Sequence, residues 1–149
     1  MNVRRFRQSL GCGLILALLA PAAGAVVPPS PGAFEAPARP GWTFLALSDD
    51  TLVYVKDAPA SGAIRKVWTL YDLPTKRERD GVIIMSVASL GEYDCAEMTS
   101  RTVEEAYHEQ PGLAGVAHVR PPIEPTGWER PSRGSIGAMK IDFACRPEL

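Results

Sequence analysis

The groups able to do chemistry in this sequence are few and far apart: Cys95, Cys145, His108 and His118. A cysteine nucleophile needs a reduced thiol, a lowered pKa and a base within reach. No local motif of a cysteine enzyme surrounds Cys95 in GEYDCAEMTSR or Cys145 in DFACRPEL. A zinc site gathers its ligands at short intervals, and these four residues show neither CxxC nor HExxH spacing. Asp49-Asp50 and Glu104-Glu105 are adjacent carboxylates, yet neighbours along a strand point to opposite faces, so adjacency builds no acid–base pair. The GSIG at 134–137 lacks nucleophile-elbow spacing, and no phosphate-binding GxxxxGK[ST] loop occurs. No catalytic residue, metal site or cofactor is therefore expected. An envelope hydrolase would need folding to bring His108 or His118 against a distant Asp or Glu. It stands as an alternative, beside a periplasmic small-ligand carrier with an apolar cavity.

What the cysteines do depends on compartment. Residues 1–25 read as a signal peptide: Arg4, Arg5 and Arg7 precede the apolar GLILALLA at 13–20, and Ala23-Gly24-Ala25 offers small residues for cleavage near Ala25. The apolar run is far shorter than the roughly 20 residues that cross a hydrocarbon core, so no membrane span is expected in the mature chain. Cys12 precedes the apolar core, whereas a lipid-attachment cysteine would directly follow it, so no lipid anchor is expected. The mature protein is expected in the periplasm or secreted. In an oxidising compartment the two remaining cysteines, Cys95 and Cys145, are expected to pair as a disulfide in preference to two free thiols.

Removal of three arginines leaves 13 of the 16 basic residues against all 17 acidic ones, a net charge near −4. Recognition of nucleic acid needs clustered Lys and Arg. The densest charge run, KRERD at 76–80, mixes signs and is expected to be a solvated loop, so no nucleic-acid partner is expected. Residues 26–41, VVPPSPGAFEAPARPG, form a proline-rich linker without a periodic apolar face. Of the tryptophans, Trp42 and Trp68 are expected in the core. Trp128, between Gly127 and Glu129 after a proline-rich connection, is the candidate binding anchor.

The elements that would position these groups are mostly strands. TFLALS at 43–48 and TLVYVK at 51–56 flank Asp49-Asp50 as a hairpin. In IRKVWTLY at 64–71, Ile64, Lys66, Trp68 and Leu70 share one side, with Trp68 toward a core. GVIIMSVASLGEYDC at 81–95 reads as a central strand with Gly91 at a bend or bulge. Residues 97–109 fit helix and strand templates alike, and the strand directly before them favours an antiparallel partner. Ser135 caps a short helix with Ile136, Met139 and Phe143 at helical spacing, ending near Cys145 before Pro147. The predicted fold is α+β: a mostly antiparallel β-sheet packed by a C-terminal α-helix, with one disulfide, in a single domain over 42–149.

The ordered series Trp42, Tyr54-Val55-Lys56-Asp57, Val67-Trp68-Thr69-Leu70-Tyr71-Asp72, Tyr93-Asp94-Cys95, Arg101, Trp128 with Pro131, and Ser135 leading to Cys145 resembles the bacterial surface-adhesin protein E family. The resemblance covers 42–145. It implies an antiparallel sheet packed by a C-terminal helix, with the two cysteines joined, and an exported, non-enzymatic protein-interaction module of the bacterial envelope. The partner it implies is a protein, with host extracellular-matrix proteins as the adhesin-like version. The sequence departs from the lipid-anchored adhesin in lacking the attachment cysteine.

Overall fold

A computed structural model describes residues 34–60, 62–120 and 127–146. The expected signal peptide and residues 26–33 of the linker lie outside the described residues. Six strands form one antiparallel sheet in chain order. They are β1 (Thr43–Ser48), β2 (Thr51–Ala58), β3 (Ile64–Arg79), β4 (Val82–Asp94), β5 (Thr99–His108) and β6 (Ala117–Val119), followed by helix α1 (Ile136–Ala144). The ambiguous 97–109 segment is thus a strand, paired to β4 from Ser86↔His108 to Asp94↔Thr99.

Turn chemistry explains the two tightest connections. Asp49 and Asp50 sit at φ 46° and 61°, the left-handed pair that joins β1 to β2 in a two-residue hairpin. Asp80 and Gly81 do the same between β3 and β4, at φ 52° and 77°. Residues 76–80 are therefore not the solvated loop expected: 76–79 continue β3, with Arg77 opposite Ile84 and Arg79 opposite Val82. An Asp-Gly pair at the tip makes this geometry accessible, and alternating charges suit a hairpin wet on both sides. Between Asp72 and Arg77 the β3 register slips against β4, around Pro74, which has no N–H to donate to the ladder. A second irregularity lies opposite Gly91, where β5 carries the extra residue, Val103. A Cβ on Gly91 would stand 2.6 Å from the Tyr93 hydroxyl, so the glycine leaves room for that ring.

Directly paired residues share a face of an antiparallel sheet, so the register divides the side chains into two sets. One set, with Val55, Val67 and Tyr93, packs under α1 through Ile141 and Ala144, with Leu45, Phe143 and Cys145 at the margin. The helix begins as expected, the Ser135 hydroxyl accepting from the Ala138 N–H at 3.2 Å. Its buried contacts are Ile141 and Ala144, whereas Ile136, Met139 and Phe143 are only half-buried. Gly137 lets it approach the preceding loop, since a Cβ there would be 2.7 Å from Pro131 Cβ. The Cys95–Cys145 disulfide joins the end of β4 to the end of α1, with Cα atoms 5.4 Å apart.

The opposite face is half covered, by backbone. Residues 35–41 of the linker lie along it: the Tyr54 hydroxyl donates to the Pro37 carbonyl at 2.9 Å, and Arg39 pairs with buried Asp72 and stacks on the Tyr54 ring. Asp72 also accepts from the Gly112 N–H at 2.9 Å, and the Ser86 hydroxyl bonds Gln110 O and Leu113 N. These bonds hold a left-handed turn in which both Gly112 and Leu113 have positive φ.

Candidate functional site

The uncovered half of that second face holds the tryptophans. Lys56, Trp68 and Leu90 align across β2, β3 and β4, and the next row is Ala58, Lys66, Glu92 and Arg101. Lys56 Nζ sits 4.6 Å from the Trp42 ring centre, and the Arg101 guanidinium lies 4.6 Å from that of Trp128. All three tryptophans therefore border the face opposite α1. Trp42 and Trp68 are half-buried and Trp128 is 39% exposed. The expected core placement of Trp42 and Trp68 is corrected here. Both faces of β3 carry buried residues: Val67 and Thr69 lie under the helix, and Tyr54, Leu70, Ala88 and Ala106 form a buried row on the Trp68 face, but Trp68 itself, one row further along, is only half-buried.

Trp128 is fixed by backbone as well as by stacking. The next residue, Glu129, exchanges two 2.9 Å hydrogen bonds with Ser100 on β5, and Arg130 donates to the Glu97 carbonyl at 2.7 Å. These contacts bring residues 127–130 to the sheet edge, next to the half of β5 that β6 leaves unpaired. An isolated aromatic in a loop thus becomes part of a prepared surface.

Between the tryptophans runs an ionic row. Arg101 donates to Glu92 through two nitrogens, at 2.9 and 2.7 Å, and Lys66 Nζ lies 3.2 Å from the same carboxylate. Hydrogen bonds from Arg101 hold the Glu92 carboxyl below the usual carboxylate range, against a smaller opposing effect of burial. The row is ordered, cationic at both sides and apolar at Trp68 and Leu90. Such a surface offers aromatic area at low entropic cost and charge-assisted hydrogen bonds to a partner. The sequence showed Lys66 and Trp68 two apart on one strand, but the contribution of Glu92 and Arg101 needs the pairing of three strands.

The histidines do not assemble a hydrolytic site. His118 pairs with Glu109 at 2.8 Å and lies opposite Tyr107 in the register, whereas His108 lies opposite Ala117, on the other face. The buried Nδ1 of His108 has no hydrogen-bond partner, so no carboxylate orients it as a base. Burial, with a smaller effect of His118, lowers the His108 pKa. Asp49 and Asp50 form a hairpin turn, while Glu104 is exposed and Glu105 binds Arg120. No group of three or more potential metal ligands occurs among the described residues.

Comparison with known proteins completes the description. A family model described as surface-adhesin protein E matches residues 42–146. Solved structures of similar fold include two of protein E. Crystal form II of Haemophilus influenzae protein E superposes with a TM-score of 0.59 at 11% identity, covering 73% of this chain and 90% of that one. Protein E from non-typeable Haemophilus influenzae gives a TM-score of 0.55 at 11% identity, over 74% and 76% of the two chains. At this identity the structural likeness concerns the fold. No curated protein sequence matches the chain.

Proposed function

The chain belongs to the surface-adhesin protein E family, and on that premise we propose that it binds a protein partner through the sheet face opposite α1. The family is one of surface adhesins and not of enzymes, so the chain is an adhesin-like, non-enzymatic, exported protein. No helix among the described residues is long and apolar enough to cross a membrane. The observation that carries the assignment of the face is the convergence of Trp42, Trp68 and Trp128 around the Lys66–Glu92–Arg101 row. Tryptophan and arginine are the residue types that dominate protein interfaces energetically. Trp128 is the anchor, since it is the most exposed of the three and is already stacked on a cation. The partner class is host extracellular-matrix protein, and the chain reaches the periplasm or the medium after cleavage near Ala25.

The test is solid-phase and surface-plasmon binding of the disulfide-bonded protein to a panel of purified matrix proteins. Trp128→Ala and Arg101→Ala should each weaken binding by about tenfold or more, the loss typical of an interface hot spot. Asp142→Asn, on an exposed position of α1, should leave it unchanged. A panel with no saturable binder refutes the matrix-protein partner, and a binder indifferent to both face variants refutes the assigned surface.

A further inference from the structure

The two edges of the sheet are built differently. β6 spans three residues and lies beside the His118–Glu109 and Arg120–Glu105 pairs, charges that discourage another strand from joining it. β1 is TFLALS, six residues with neither a charge nor a proline, and no strand among the described residues pairs with its outer side. Phe44 and Leu47 stand 39% and 45% exposed on it. We propose that this edge joins the β1 edge of a second copy of the chain, antiparallel, about a two-fold axis between Leu45 and Ala46.

A bulge makes the strand self-complementary. β1 carries one residue more than β2 between the Phe44↔Tyr54 and Ala46↔Val53 pairs. Phe44 and Leu47 therefore point to the same face, that of Tyr54 and Leu52, where regular alternation would have separated them. Thr43, Ala46 and Ser48, paired with Val55, Val53 and Thr51, share the α1 face with Leu45, which packs on the Val55 cluster. About an axis between Leu45 and Ala46, Thr43 meets Ser48, Phe44 meets Leu47 and Leu45 meets Ala46, and each pair lies on one face. A contact between identical surfaces needs such a match, because one strand must complement itself.

The backbone agrees. A two-residue hairpin closes on a hydrogen-bonded pair, here Ser48 and Thr51. Alternation along β2 then turns Val53 and Val55 toward β1, and Leu52 and Tyr54 toward β3. Their β1 partners, Leu47 and Phe44, thus aim N–H and C=O outward. In the proposed register each Phe44 exchanges both backbone hydrogen bonds with Leu47 of the second copy, while the two side chains cover one another. One step beyond the strand, Asp49 of the second copy comes beside Trp42, whose ring carries Lys56 at 4.6 Å, so opposite charges meet at each end of the contact. An unrelated peptide would supply the backbone bonds; a copy of β1 supplies this match of faces and charge as well. Both α1 helices fall on one side of the joined sheet and both tryptophan faces on the other, so the inference stands apart from the proposed protein-binding surface.

Sedimentation velocity of the disulfide-bonded protein from about 1 μM to about 1 mM tests the association. Six residues make a short contact beside the roughly 1,600 Å² of a standard interface, so a monomer–dimer equilibrium with a Kd of about 10–100 μM is expected. Leu47→Lys should weaken it about tenfold or more, and Val119→Lys, at a 67% exposed position of β6, should leave it unchanged. Both positions are exposed, and unchanged melting confirms that both variants keep the fold. Amide exchange at Phe44 and Leu47 should slow as concentration rises, and a mixture of isotope-labelled and unlabelled protein should show NOEs from the Phe44 ring to the Leu47 methyls of the other copy. A monomer throughout, a dimer indifferent to Leu47→Lys, or growth past the dimer overturns the proposal. Protection of those two amides at every concentration, the sign of another segment of the same chain on this edge, overturns it too.

Discussion

Replacing Cys95 and Cys145 together by alanine removes the bond that closes a loop of 50 residues between the end of β4 and the end of α1. On the chain-entropy argument a loop of this length stabilises the folded state by about 4 kcal/mol. The cost should appear as global stability, because a helix of nine residues does not persist alone in water and depends on its contacts with the sheet. Those contacts are modest: Ile141 and Ala144 are its buried side chains, contributing about 3 kcal/mol by the usual scale of apolar burial. The bond and the packing are thus comparable, and neither is redundant. For a compact unit over residues 35–149, an unfolding entropy of about 2.1 cal/mol/K per residue converts 4 kcal/mol into a fall in Tm of about 15 °C. Circular dichroism melts of the oxidised protein, the dithiothreitol-reduced protein and the double variant would measure it. The last two should agree, because reduction and substitution remove the same constraint. A fall smaller than about 5 °C in both would refute the reasoning, showing either residual structure in the unfolded chain or a helix held by contacts other than those described.

Other expected outcomes follow from single residues. Gly112→Ala should cost about 2 kcal/mol in urea unfolding, more than Gly41→Ala: both glycines have positive φ, but a Cβ on Gly112 would displace the Arg39 guanidinium that pairs with Asp72, while Gly41 faces open space. Equal losses would mean that only the backbone angle matters. Glu92 has a lowered folded pKa, so its contribution to stability is present above the ordinary carboxylate value and is lost as pH falls through the folded one. Glu92→Gln should therefore flatten the acid limb of stability below about pH 4.5, a change that urea titrations across that limb would detect. His108 also has a lowered pKa, so protonation opposes folding and stability should decline as pH falls below about 6.5. His108→Leu should remove that decline in melts between pH 7 and 5, roughly the range in which an ordinary histidine charges.

Much of the fold was legible because its signals are local. Asp49-Asp50 marked a hairpin, Ser135 marked the start of a helix, and two cysteines in an exported chain marked a disulfide. The Asp80-Gly81 turn was equally local, but the dense charges around it suggested a loop where a solvent-exposed hairpin formed. The 97–109 segment was undecidable alone because hydrogen bonding to β4, not its own periodicity, makes it a strand.

The site was less legible. The alternation of Ile64, Lys66, Trp68 and Leu70 against Val67 and Thr69 established from sequence that β3 has two distinct faces, and the residue types established what each could do. Which face would be covered was decided only in three dimensions. Both sets contain apolar residues, so burial depends on where α1, the linker and the turn at 110–114 come to rest. The short helix, tied at Cys95, takes the Val67 side, the linker takes part of the other, and Trp68 is left half open beside cations supplied by neighbouring strands. Side-chain direction along a strand follows from its period of two; the identity of the neighbour across the sheet, and of the layer above it, is a property of the packed chain.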